Sequence, residues 1–303
     1  MAVVPAQFRS LALTALAAAG LVAPPAQAQS QAPLAVDLEL VLAVDVSYSI
    51  NPEELRVQRE GYVDALTHPL ILAAIAAGRR GRIALTYVEW GGAPQQVMPW
   101  TLIDGREAAE RFAAGLLDLP YRRISFTSIS RALLYSRALL HDNAFAGARR
   151  VVDVSGDGPN NDGAPITLAR DTLTAEGIEI NGLALILPRP RGAPSIPELD
   201  AYYRNCVIGG PGAFVLTVRD TAAFAATIRQ KLYLEIAYPK LTRRLERIPG
   251  FERTPGSARM PWQEREPGSE RLPSGASATA DIVPAQYPGR SCFIGKEMQE
   301  RIQ

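Results

Sequence analysis

Leu38 to Val44 is an almost unbroken apolar run, interrupted only by Glu39. Such a run predicts a strand covered on both faces. A helix is expected next, from about Pro52 to Leu66. Asn51 can cap it, Pro52 suits its first position, and Glu53 and Glu54 favour its positive end. Arg82 to Trp90 reads as a second strand, which Gly91-Gly92 turns into an antiparallel partner around Gln95 to Leu102. Asp104 then caps a helix to about Leu117, and another helix runs from Thr127 to Leu140. Arg150 to Ser155 is the next strand, followed by a Gly/Asn/Asp loop and a helix from about Pro165 to Glu176 that Gly177 stops. Ile178 to Leu187 is a strand, Pro188 to Pro197 a loop, and Glu198 to Arg204 a short helix. A final strand at Ala213 to Val218 precedes a helix that Asp220 caps and that ends near Ala237. Strands alternating with helices imply an α/β domain over residues 34–238, with a mostly parallel sheet and helices on both faces.

The chain ends have a different character. Arg9, an uncharged run from Leu11 to Val22, Pro24-Pro25 and Ala26-Gln27-Ala28 make residues 1–28 a secretory signal, cut after Ala28. No later stretch is apolar enough for a transmembrane helix in the mature chain, so a periplasmic or secreted product is expected. Residues 239–303, rich in Pro, Gly and charge without an apolar period, read as a largely disordered tail, with a second small domain as the competing view. A net charge of +1 with 21% charged residues gives no clustered basic excess, so no nucleic-acid partner is expected. Cys206 and Cys292 are the only cysteines. An oxidising compartment permits a bridge between them, and two separate thiols fit the sequence equally well.

The chemistry concentrates where the first strand ends. Asp45-Val46-Ser47-Tyr48-Ser49 places three oxygen-bearing side chains on alternate positions, so an extended turn lets them converge. In open α/β sheets ligands bind outside the carboxyl ends of the strands, at a topological switch point. Thr127 opens a helix after the loop 121–126, and Asp157 follows the strand 151–154. Loops from three βα units can therefore meet on one ion. A hard cation such as magnesium takes about six oxygens and keeps several waters, a demand that hydroxyls and carboxylates meet together. Ser and Asp are also favoured turn residues, so the first motif alone is weak and the three-loop combination carries the reading.

On these residues the chain resembles the von Willebrand factor A (vWA) domain over roughly residues 36–236. That resemblance implies a Rossmann-like fold and a metal-ion-dependent adhesion site (MIDAS) made of Asp45, Ser47, Ser49, Thr127 and Asp157. It further implies Mg2+, with Mn2+ or Ca2+ as substitutes, and a protein partner whose Glu or Asp carboxylate fills the last coordination place. Ser47 and Ser49 would ligate through hydroxyls, Asp45 and Asp157 directly or through water, and Thr127 in the high-affinity arrangement. The runs 152–161 and 206–214 are similar to a bacterial branch of exported vWA-like proteins; that narrower likeness implies no activity. Two departures stand out: Gly156 replaces the Thr that many relatives have before Asp157, and Ser128-Ile129-Ser130 replaces a second Thr.

The expected function is therefore non-enzymatic, with no catalytic residues: cation-dependent capture of a partner in adhesion or assembly. The alternative is a metal-assisted hydrolase on the same scaffold, which lacks a phosphate loop, a Gly-x-Ser-x-Gly elbow and a placed histidine. It would need Glu89 or Asp153 as a solvent-facing base near the ion. Asp153, alone among apolar neighbours, is instead expected in a buried paired network. Asp162 is expected to cap the helix near Pro165, and His68 and His141 to act as cations at helix ends. Tyr121, Arg122 and Arg123 form either a basic rim or a plain solvated loop.

Overall fold

The computed structural model describes residues 32–188, 196, 198–245 and 291–300. The expected secretory segment, most of the loop 188–197 and the tail between 246 and 290 lie outside the described residues. The chain divides into units 1–32 and 33–303, and everything below concerns the second.

The strands are β1 (Leu34–Val36), β2 (Glu39–Asp45), β3 (Ile83–Trp90), β4 (Gln95–Ile103), β5 (Phe145–Gly147), β6 (Arg150–Gly156), β7 (Glu179–Leu185) and β8 (Val215–Val218). Six of them form one sheet in the order β4-β3-β2-β6-β7-β8, parallel except for the β3–β4 pair. The short β1 and β5 pair separately. Every residue of β2 and β3 is buried, as a central strand covered on both faces must be.

The side chains of β2 split the core in two. Leu40, Leu42 and Val44 face α1 (Pro52–Thr67), α2 (Pro69–Ala76), α3 (Arg106–Asp118) and α7 (Phe224–Leu245). Val41 and Ala43 face α4 (Ile129–His141), α5 (Ile166–Ala175) and α6 (Leu199–Tyr202), which continues as a π-helical turn over Tyr203–Val207. One residue of slip would exchange the two sets. From β2 the chain adds β3 on one side and β6 on the other, so the strand order reverses at β2 and opens a crevice between the ends of β2 and β6.

α1 starts with the expected cap: Asn51 Oδ1 accepts from Glu54 N at 2.9 Å and the Glu54 carboxylate accepts from Asn51 N at 2.9 Å. Asn51→Ala removes half of this reciprocal pair and should lower stability by about 1 kcal/mol; a urea midpoint equal to the wild type would refute that assignment.

The structure departs from the local reading at three points. α2 has no sequence counterpart, because the run Leu70-Ile71-Leu72-Ala73-Ala74-Ile75 shows no period. His68 closes α1 as its C-cap and caps α2 by accepting from Leu70 N at Nδ1 (3.1 Å). α3 is capped at Gly105 without a side-chain bond, not by Asp104. Asp162 does not cap α5; its carboxylate pairs with Arg131.

Asp153 does sit in a buried network. Lys231 Nζ of α7 lies 2.8 Å from Asp153 Oδ1 and 2.8 Å from Glu235 Oε1, all three groups being 0–1% exposed. Asn181 donates to Glu235 at 2.6 Å and accepts from Phe214 N at 3.0 Å. Burial raises the Asp153 carboxyl to about 6, against the pull of Lys231.

The edge strand β4 carries Pro99 at an exposed position, next to a register shift opposite Leu85–Tyr87. Beyond the compact 34–245 stretch, Cys292 is disulfide-bonded to Cys206, which decides between the two thiol readings. It precedes α8 (Ile294–Glu300), where Ile294 packs on the α4–α6 side of the core.

Candidate metal centre

Asp45 is the last residue of β2 and Ser47 lies just beyond it. Ser47 N donates to Asp45 Oδ1 at 2.7 Å, closing a tight turn that turns the Ser47 hydroxyl toward Ser49. The Ser47 and Ser49 hydroxyls are 2.8 Å apart, and Ser49 Oγ donates to Asp157 Oδ1 at 2.7 Å. Asp157 follows β6 by one residue, so one hydrogen-bonded chain joins the first loop to the third across 108 residues of sequence.

The second loop is fastened to both. Ile124 N donates to Val46 O at 2.9 Å, alongside a parallel bridge between Ser47 and Ile124. Ser128 N donates to Gly91 O at 3.0 Å and Gly92 N to Ser125 O at 2.7 Å. A Cβ at Gly91 would stand 2.7 Å from Ile124 Cβ, and one at Gly92 2.7 Å from Ser125 O. The Gly91-Gly92 turn thus does more than reverse the chain; it lets the second loop lie flat on bare backbone. Thr127 N donates to Asn161 Oδ1 at 2.8 Å and Asn161 N to Thr127 O at 2.9 Å. This clamp sets Thr127 beside Gly158, whose Cβ, if present, would be 4.0 Å from Thr127 Oγ1. All five candidate ligands therefore stand at one end of the sheet, on three loops tied directly to one another.

The electrostatics favour a cation. Asp45 is fully buried, and its Oδ2 accepts no hydrogen bond. Burial first, then the charge of Asp157, pushes the Asp45 carboxyl well above the usual range, while the Ser47 backbone and hydroxyl and the Asp157 backbone pull it down. Two neighbouring buried carboxylates with hydroxyls around them match a hard divalent ion, which prefers oxygen ligands. No group of three His, Cys, Asp or Glu with metal-binding placement occurs among the described residues; the donor set is carboxylate plus hydroxyl.

Tyr203 was not legible as part of this site. A Cβ at Gly156 would lie 2.7 Å from Tyr203 Oη, 2.9 Å from Asp45 Oδ2 and 3.1 Å from Trp90. The absence of a side chain at 156 thus leaves room for the Tyr203 hydroxyl, which makes no hydrogen bond to Asp45. Burial, then the charges of Asp45 and Asp157, push that phenol well above its usual range. The sequence signal was the departure at Gly156, readable only once the partner from residue 203 is known.

Glu89 is not a solvent-facing base. It is 2% exposed and paired with Arg59 at 2.9 Å, and Arg59 lies 4.4 Å from the Tyr121 ring centre. At the mouth, Tyr48 and Phe126 are 57% and 53% exposed. Arg123 lies 5.0 Å from the Tyr48 ring centre, and Arg122 bonds Gln95. Phe126 has φ of +65°, a conformation costly for a bulky residue and associated with functional loops.

Strand order, switch-point crevice and flanking helices define a vWA-like α/β fold. The chain belongs to the family described as "protein of unknown function (DUF1194)", whose sequence model matches residues 35–240. Proximal thread matrix protein 1 from the mussel byssus superposes with a TM-score of 0.50 at 16% identity, over 68% of this chain and 49% of that one. The pilus adhesin SpaC from Lactobacillus rhamnosus GG gives 0.51 at 11% identity, over 68% and 31%. A von Willebrand factor type A structure from Catenulispora acidiphila gives 0.44 at 15%, over 67% and 43%. At such identities the likeness to the mussel protein and the pilus adhesin is one of fold, and the chain spans about half the length of the mussel protein. No curated protein matches it in sequence.

Proposed function

We propose that this protein is an exported binding module that uses a divalent cation, Mg2+ by preference, to capture an acidic residue of a protein partner. The observation that carries the reading is the hydrogen-bonded chain Ser47–Ser49–Asp157 beside the buried, half-unsatisfied Asp45. Ser47, Ser49 and Thr127 offer hydroxyl oxygens; Asp45 and Asp157 offer carboxylates, directly or through water. Two carboxylates only balance a divalent charge, so an incoming Glu or Asp is not repelled. The cation supplies a positive centre that such a carboxylate can ligate.

Around that centre Tyr48 and Phe126 give apolar contact, and Arg123 adds positive charge, a combination suited to an acidic segment with apolar flanks. The mussel matrix protein and the pilus adhesin, both proteins of extracellular assemblies by name, are consistent with a binding role. Export is supported by the Cys206–Cys292 bridge, since such bonds persist in oxidising compartments. No helix among the described residues is long and apolar enough to cross a membrane.

The hydrolase alternative needs a free base, and its two candidates are engaged elsewhere: Glu89 with Arg59 and Asp153 with Lys231. Calorimetric titration of the metal-free protein with Mg2+ should give one site, reversed by EDTA. Absence of any heat or thermal shift with Mg2+, Mn2+ or Ca2+ would defeat the proposal.

A further inference from the structure

The turn of helix that begins at α6 makes three separate contacts around the third loop. Tyr202 Oη accepts from Asn160 N at 3.1 Å. Tyr203 Oη lies 2.7 Å from the position a Cβ at Gly156 would take. Cys206, fully buried, holds Cys292. The turn from Tyr203 to Val207 is π-helical, a form frequent at functional sites.

The disulfide brings a distant stretch of chain to the same loop. Gly295 is buried, and a methyl group there would stand 2.7 Å from the Asn160 carbonyl carbon and 3.2 Å from Asn161 N. The first turn of α8 therefore lies directly on the Asn160–Asn161 peptide. Asn160 is held by Tyr202 on its N–H and covered by Gly295 on its carbonyl. Its side chain accepts from Ser130 N at 2.9 Å and donates to Ala164 O at 3.1 Å. Asn161 in turn makes both bonds of the clamp on Thr127. A continuous path runs from Cys292 through Gly295 and Asn160–Asn161 to Thr127, and Asp157 lies three residues before Asn160 on the same loop.

We propose that residues 291–295, stapled by Cys206–Cys292, act as a positioning brace for the second and third loops of the cation site, which keeps its full affinity only while the disulfide is closed. The proposal rests on the cation reading given above. Neither cysteine touches the ion; they act through Asn160 and Asn161, as outer groups that orient ligands do, typically contributing about 10–100-fold in affinity.

Two perturbations test it on the full mature chain, with Mg2+ as the probe. The Cys206→Ser/Cys292→Ser double variant removes the staple. Gly295→Ala leaves the staple closed and pushes a methyl group into the Asn160–Asn161 peptide, so it serves if the first variant fails to fold. Each should weaken Mg2+ binding about 10-fold and speed amide exchange at 158–162, with exchange in β2 and β6 unchanged. Unaltered exchange at 158–162 in a folded variant overturns the brace, whatever the ion does. Faster exchange with unaltered Mg2+ affinity overturns its link to the site. A wild-type protein that ignores Mg2+ defeats the cation reading instead, and the exchange result still decides whether the brace exists.

Discussion

Lys231→Met should lower the stability of the domain by about 3–5 kcal/mol at neutral pH, the range found when one partner of a buried ion pair is removed. Lys231 is 1% exposed and stands between Asp153 and Glu235, with its ammonium 4.9 Å from the Phe214 ring centre. Methionine keeps much of the volume and leaves two carboxylates in the core without their cation. The sign of the pH dependence follows. Burial already raises the folded-state Asp153 carboxyl to about 6 against the pull of Lys231, above an unfolded value of about 3.9. A raised carboxyl means that the folded protein binds more protons than the unfolded one between the two values, so stability falls as pH rises through that window. Without Lys231 the folded value rises further and the window extends upward. The variant should therefore recover part of its loss between pH 7.5 and pH 5, as protonation removes the buried charge. Urea unfolding at both pH values reads this out; a deficit under about 1 kcal/mol, or one that grows on acidification, contradicts the network.

Asp45→Asn should abolish Mg2+ binding while leaving the metal-free fold as stable as the wild type, or more so. The substitution keeps an acceptor for Ser47 N and removes a buried charge that Asp157 opposes. Loss of one of only two carboxylates at the site should exceed the roughly 100-fold upper end seen for outer groups. At about 100 times its Kd, Mg2+ should add about 2.7 kcal/mol to wild-type stability and nothing to the variant. A variant that unfolds without metal would show that Asp45 is structural, and one that binds Mg2+ normally would move the site elsewhere.

The parts of this architecture legible in the sequence are those written locally. The apolar run through Leu40 and Val44 announced a doubly covered strand, and Gly91-Gly92 announced the antiparallel edge. Asn51, Pro52 and Glu54 marked a helix start because capping is a matter of three or four residues. α2 escaped because an unpunctuated apolar run carries no period. Asp104 and Asp162 misled because a short acidic side chain near a helix start has other options; Asp162 found Arg131, which only the fold brings near. The five candidate ligands were named from one dense motif and two isolated positions. The groups that support them, Asn160, Asn161 and Gly295, are joined by pairings across tens of residues or more, which no local pattern records.

The edge strand β4 has one further consequence. Its central Pro99 has no N–H to offer, and the neighbouring register shift breaks the row of backbone groups along that margin. A foreign strand laid there would find its ladder interrupted midway, so this rim resists both recognition by strand addition and sheet-to-sheet self-association. A partner meeting this margin would have to be recognised through side chains rather than through the peptide backbone.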